Sequence, residues 1–121
     1  MGTQRNVSRP MRQLLTLMPR VQVDADGQPD FDASAPELLV QIAESAELLQ
    51  RVIALGTSAV GQLMAFASAD VDTGEVGQDA IEALGWLIAE MCDGAAACLV
   101  LAAPCRRVTA DFTGARDGEA Q

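Results

Sequence analysis

Between Ile42 and Ala67 the apolar or small residues Ile42, Ala46, Leu49, Ile53, Gly56, Val60, Leu63 and Ala67 follow one another at steps of three or four. That spacing lines one face of an α-helix, whereas a half-buried strand alternates every second residue. A pattern sustained over so many turns leaves little choice of fold class. A helix from 35 to about 68 would be roughly 50 Å long at 1.5 Å per residue. Gly56 and Gly61 are the places where it could bend, each costing about 1 kcal/mol relative to alanine.

The helix has readable borders. Ser34-Ala-Pro-Glu37 has the form of a capping box, with Pro36 in the first turn, where its missing N–H costs nothing. After the loop ADVDTG, Asp72-Thr-Gly-Glu75 repeats that logic, and Asp79 falls in the early turns, where negative charge suits the helix dipole. A second helix carries Ile81, Leu84, Ile88, Met91, Ala95 and Leu99 on its inward face, with Ala102 behind. It is expected to stop near 103, because Pro104 disfavours continuation, with Arg106 and Arg107 just past its end. Two long helices with a short connection make an antiparallel hairpin. The expected organisation is a basic arm plus acidic irregular loop over 1–33, a helical hairpin over 34–105 and a flexible tail over 106–121. The fold class is all-α, the arm being short and helical or irregular.

A hairpin alone does not consume the apolar surface. Glu37, Gln41, Glu44, Arg51, Ser58 and Gln62 mark the polar line of the first helix, yet Leu48 and Leu55 fall on it. From 52 onward the helix is apolar nearly all round and needs further cover. Dimerisation into a four-helix bundle is the expected answer, two-fold dimers being the commonest closed assemblies. The 18 uncharged residues between Arg51 and Asp70 approach the length of a membrane span. A return span would carry Glu90 and Asp93 in mid-course, at about 2.5–3.5 kcal/mol for a central Asp, so a membrane role is the weaker expectation.

Composition narrows the chemistry. Among 121 residues there is no histidine and no lysine, which removes the commonest acid/base, metal-ligating and Schiff-base side chains. Cys92, Cys98 and Cys105 match no zinc spacing and read as small core residues in a reducing compartment, hence a cytoplasmic protein. Asp24, Asp26, Asp30 and Asp32 lie in a turn-rich stretch without the arrangement of a calcium loop. No enzyme, cofactor or metal site is expected. Residues 21–121 carry four arginines against 17 acids, a balance of −13 that repels nucleic acid.

The same acids suggest a partner. From Asp70 to Asp93 there are seven acids and no base. On a helix Glu75, Asp79, Glu82, Trp86, Glu90 and Asp93 would share an arc of roughly 80°. An unneutralised acidic stripe with the chain's single tryptophan in its middle has the character of a recognition surface for a basic protein. An inhibitor that occupies the groove of a nucleic-acid-handling protein is one such role. The competing expectations are a solvated face on a purely structural homodimer, and a membrane-associated hairpin.

The stretches PDFDASAPELLVQIAESAELL and AIEALGWLIAEMCDGAAACLV resemble small bacterial proteins that form a helical hairpin, over about 60% of the chain, from 30 to 103. That family has no assigned activity, so the resemblance implies a fold and no site.

Overall fold

The computed structural model describes residues 9–112. The chain is all-α: α1 (Pro10–Leu17), a 3-10 turn (Met18–Arg20), α2 (Pro36–Phe66), the short α3 (Ser68–Asp72) and α4 (Gln78–Val108). No strand occurs among the described residues, only an isolated bridge between Val23 and Pro29. Arg5 of the basic arm and the tail beyond Phe112 lie outside the described residues.

The chain divides into two compact units, one of them Gln50–Ala97 and the other the chain up to Leu49 and from Cys98 onward. The second of these holds nearly all of the core. Leu14, Leu17, Val21, Leu38, Leu39, Ile42, Ala43, Ala46, Leu49, Cys98, Ala102 and Cys105 are buried there. Full burial of a leucine such as Leu39 stabilises the fold by about 2 kcal/mol. Glu47 and Arg106 join α2 to α4 at its edge: the guanidinium donates from Nε to Oε2 at 3.0 Å and from Nη2 to Oε1 at 2.7 Å. That hydrogen bond, first among the causes, raises the Arg106 pKa further above its ordinary value.

In the unit Gln50–Ala97 only Ile53 is buried, and its Cδ1 lies 4.0 Å from where a Cβ on Gly94 would stand. Val60, Leu63 and Met64 of α2 share a cavity with Ile81 and Leu84 of α4. Within this unit the contacts fit an antiparallel pairing, since later residues of α2 meet earlier ones of α4. The helix runs unbroken through Gly56 and Gly61, where a methyl group would meet nothing within 4 Å.

Several borders differ from those read in the sequence. Ser34 caps no helix: its buried hydroxyl accepts the Gln22 N–H at 3.0 Å and donates to the Asp30 carbonyl at 2.8 Å. The first turn of α2 opens instead on the Ala35 carbonyl, which accepts the Leu39 N–H. A longer-range backbone donor has won the hydroxyl from the local motif. Between these anchors the acidic loop is irregular, as its composition implies. Asp24 Oδ1 accepts the N–H groups of Asp26 and Gln28, and Gly27 takes the left-handed φ of +80° that closes the turn.

Asp72 does not cap α4 either. The chain leaves α2 at Ala67, makes the short α3, and turns at Gly74 with φ +84°. The first turn of α4 opens on the Gly77 carbonyl, which accepts from Ala80 and Ile81, with Asp79 in that turn. At the other end α4 continues through Pro104 to Val108 rather than stopping at 103. Proline deprives the Val100 carbonyl of its helical donor, but Val100 is exposed, so water can replace that bond. Arg106 and Arg107 then fall in the last turn, where cations favour the helix dipole. Buried Thr109 finishes α4 by donating its hydroxyl to the Cys105 carbonyl at 2.7 Å.

Two core positions also change sides. Leu99 is exposed and Cys98 buried in its place, so the inward face of α4 continues as Cys98, Ala102 and Cys105. Leu63 is exposed although it lines the cavity.

Candidate functional site

The acidic stripe lies wholly within the unit Gln50–Ala97. The inward face of α4 there is formed by half-buried Ile81, Leu84, Ile88 and Met91. Asp79, Glu82, Trp86, Glu90 and Asp93 are all exposed and lie within roughly 80° of arc on the opposite side. Their exposure follows from the helical period: once four apolar residues turn inward, positions half a turn away must meet solvent. Glu75 is exposed too, but it does not join this face as a helical residue, because α4 begins only at Gln78. The positive φ of Gly74 and the start at Gly77 put Glu75 in the connecting turn.

Trp86 is 69% exposed. A tryptophan shielding a core edge buries most of its ring, so this one does not act as a lid on its own unit. Among the described residues the one ion pair is Glu47 with Arg106, so the stripe's carboxylates are not neutralised by a salt bridge. Trp86 thus stands as an open apolar platform between Glu82 and Glu90, each one helical turn away. Such a surface can stack with a guanidinium while the carboxylates take its N–H groups.

A second feature of this unit had no signal in the sequence. Val60, Leu63, Met64, Ala67, Ser68, Val71, Val76, Ile81 and Leu84 line an open cavity of about 540 Å³. Ser68 is its one polar residue, and its hydroxyl is committed to the Ala65 carbonyl at 3.0 Å. The cavity forms because α2 ends at Phe66 and the chain crosses to α4 through a short helix, leaving the inward apolar residues without a third layer. Periodicity predicted those residues as core but not the gap between them.

The cysteines do not converge on any site. Cys92 is exposed, Cys98 and Cys105 are buried, and all three are free thiols. Burial raises the Cys98 thiol pKa, and raises that of Cys105 against an opposing pull from the Arg106 charge. Burial keeps Cys98 and Cys105 from a disulfide with another chain unless the fold opens. No cluster of metal-ligating side chains occurs among the described residues. By length and composition α4 is the one described helix apolar enough to cross a membrane. The uncharged run after Arg51 is divided at Ala67 between two helices.

No protein-family model, curated protein or solved structure matches this chain.

Proposed function

We propose that this chain is a non-enzymatic protein-binding or regulatory protein. It is a helical hairpin that dimerises into a four-helix bundle and offers the acidic α4 face around Trp86 to a basic partner. The observation that carries this reading is the exposed Trp86 ring, set among Asp79, Glu82, Glu90 and Asp93 with no ion pair to any of them among the described residues. Carboxylates steer a basic surface and set its register, while the aromatic ring supplies packing area at the centre of the contact. A groove lined with arginines, as in proteins that handle nucleic acid, has the matching chemistry, so the role proposed is that of a binder or inhibitor in the cytoplasm. Glu75 belongs to this surface as a flanking charge.

Trp86 is the only tryptophan, so its fluorescence reports this face alone. Titration with an arginine-rich peptide should shift the emission to the blue, with an affinity that falls as salt rises. Glu82→Arg together with Glu90→Arg should abolish the shift. An emission spectrum indifferent to the peptide at low salt would refute the reading.

A membrane-associated hairpin is the second reading, favoured by an 18-residue stretch of α4 with a mean hydropathy of 1.6. Glu90 and Asp93, within that helix, oppose it. Flotation with phosphatidylcholine vesicles separates the two.

A further inference from the structure

The outward face of α2 between Val52 and Phe66 is symmetric about its middle. Val52 and Phe66 lie seven residues to either side of Ala59, and Leu55 and Leu63 lie four. All five share an arc of roughly 80° on an unbroken helix. The four large ones are 51%, 67%, 68% and 85% exposed for Val52, Leu55, Leu63 and Phe66. Ala59 between them is exposed as well, and Gly56 beside it adds no bulk. Large apolar residues at steps of three and four around a small one form a seam on which another helix packs.

We infer that residues 52–66 of α2 form a self-association surface that seats the same segment of a second copy, antiparallel, about a two-fold axis at Ala59. In that arrangement Val52 meets the partner's Phe66, Leu55 meets the partner's Leu63, and the two Ala59 residues face each other at the closest approach. An isologous interface requires that residue i meet j while j meets i, and this pattern satisfies that at every large side chain. The inference rests on the self-association part of the proposed function and does not depend on the acidic face.

Charge selects the occupant. No charged residue lies between Arg51 and Asp70, so the stripe opposes itself without repulsion. The α4 face would set Asp79, Glu82, Glu90 and Asp93 against their own copies, and like charges across an interface disfavour pairing. A basic partner would find no carboxylate on the α2 stripe. An anionic membrane surface would be repelled by Asp70, Asp72, Glu75 and Asp79, which follow the segment directly. Leu63 belongs both to the stripe and to the rim of the 540 Å³ cavity, so a second copy also covers the cavity there.

The four large side chains expose on the order of 500 Å² per copy, which places the contact at the low end of specific interfaces. The dimer should therefore be concentration-dependent and dissociate in the micromolar range.

The full chain should show a dimer mass by light scattering at about 100 µM and approach the monomer on dilution into the low-micromolar range. Ala59→Arg sets two like charges at the axis and should give a monomer at both concentrations with the helical circular dichroism unchanged. If that variant loses its helix signal, Leu55→Gln with Leu63→Gln makes the same test on exposed positions. In a Cys92→Ser background, Ala59→Cys should form a disulfide-linked dimer under mild oxidation, while Ser58→Cys, about 100° round the helix, should not. A wild-type monomer at 100 µM, a dimer that survives Ala59→Arg, or equal cross-linking at both positions would each overturn the inference. So would flotation with phosphatidylcholine vesicles in place of dimerisation. The arginine-peptide titration on the Ala59→Arg monomer tests the acidic face separately, and its failure beside an intact wild-type dimer would count against that reading alone.

Discussion

The same two helices pass through both units and do opposite things in them. Along residues 38–49 of α2 and 98–105 of α4 the inward positions are filled by Leu38, Leu39, Ile42, Ala43, Ala46, Leu49, Cys98, Ala102 and Cys105, all buried. In the unit Gln50–Ala97 only Ile53 is buried, while Val52, Leu55, Leu63, Phe66, Trp86 and Leu87 are exposed. Hydropathy does not explain the difference, because both stretches are rich in leucine, valine and alanine. Additional layers do. The first unit draws Leu14, Leu17 and Val21 from α1 and its turn, and ties the acidic loop down through Ser34. The second has two helices and a short crossing, and two helices can bury only one stripe each. One unit encloses its apolar residues, and the other leaves them exposed.

Core truncations should break that contrast most visibly. Leu39→Ala or Ile42→Ala removes a fully buried side chain and should cost about 2–5 kcal/mol in urea unfolding, a large fraction of the stability of a chain this size. Leu55→Ala and Trp86→Ala, at exposed positions, should change monomer stability by less than about 0.5 kcal/mol. Comparable losses at Leu39 and Leu55 would mean that the two units share one core. Amide hydrogen exchange reads the same contrast without mutation. Residues 38–49 and 98–105 should exchange slowly, and 55–66 and 80–92 quickly. Raising the protein concentration should then slow residues 52–66 and leave 80–92 unchanged, if α2 carries the self-contact.

Ser34→Ala comes next in size. It removes the acceptor for the Gln22 N–H and the donor to the Asp30 carbonyl in a part-buried site. Leaving such a backbone donor unsatisfied should cost about 1–3 kcal/mol by urea unfolding. A capping role would instead leave Ser34→Thr or Ser34→Asp as stable as the wild type. The buried position, twelve residues from its donor, should reject the charge of aspartate.

How much of this was legible follows from how local each signal is. The helical period from Ile42 to Ala67 and the exposed α4 acids depend on side chains a few residues apart, so both could be read directly. The capping-box pattern misleads at Ser34 because its hydroxyl serves Gln22, which no local motif reports. Pro104 signals a stop in the sequence because its cost is usually decisive, and only the exposure of Val100 shows how that cost is met. Periodicity points Leu99 and Leu63 inward, but a period fixes a face only to within one position, and the neighbouring layer decides the rest. The cavity was invisible for the same reason: it is set by where α2 ends and by what does not cover it.

The thiols give a finer test of the two environments. Cys92, exposed in the unit Gln50–Ala97, should react with a thiol reagent at the rate of a free cysteine, and Cys98 and Cys105 only as the chain opens. Their raised pKa values have a definite sign. An acid held above its unfolded value keeps its proton in the folded state longer, so the unfolded chain binds fewer protons as pH rises. The stability this represents is complete below the unfolded thiol value and is lost above it, from about pH 8.5 upward. Wild-type stability should therefore decline on the alkaline side, and less steeply in Cys105→Ala once its own cavity cost is subtracted.

The Glu47–Arg106 pair should contribute little. Its bidentate geometry invites a structural role, with both bonds at 3.0 Å or less. However, both side chains are more than a third exposed, and solvent screening leaves such pairs about 0–1 kcal/mol. A double-mutant cycle of Glu47→Gln and Arg106→Gln isolates the pair from whatever else Glu47 touches. The coupling should be about 0.5 kcal/mol at low salt and fall toward zero near 1 M. A coupling above about 1.5 kcal/mol would mean that this unit is held by charge as well as by its apolar core. A value near the expected one leaves apolar layers as the whole difference between the two units.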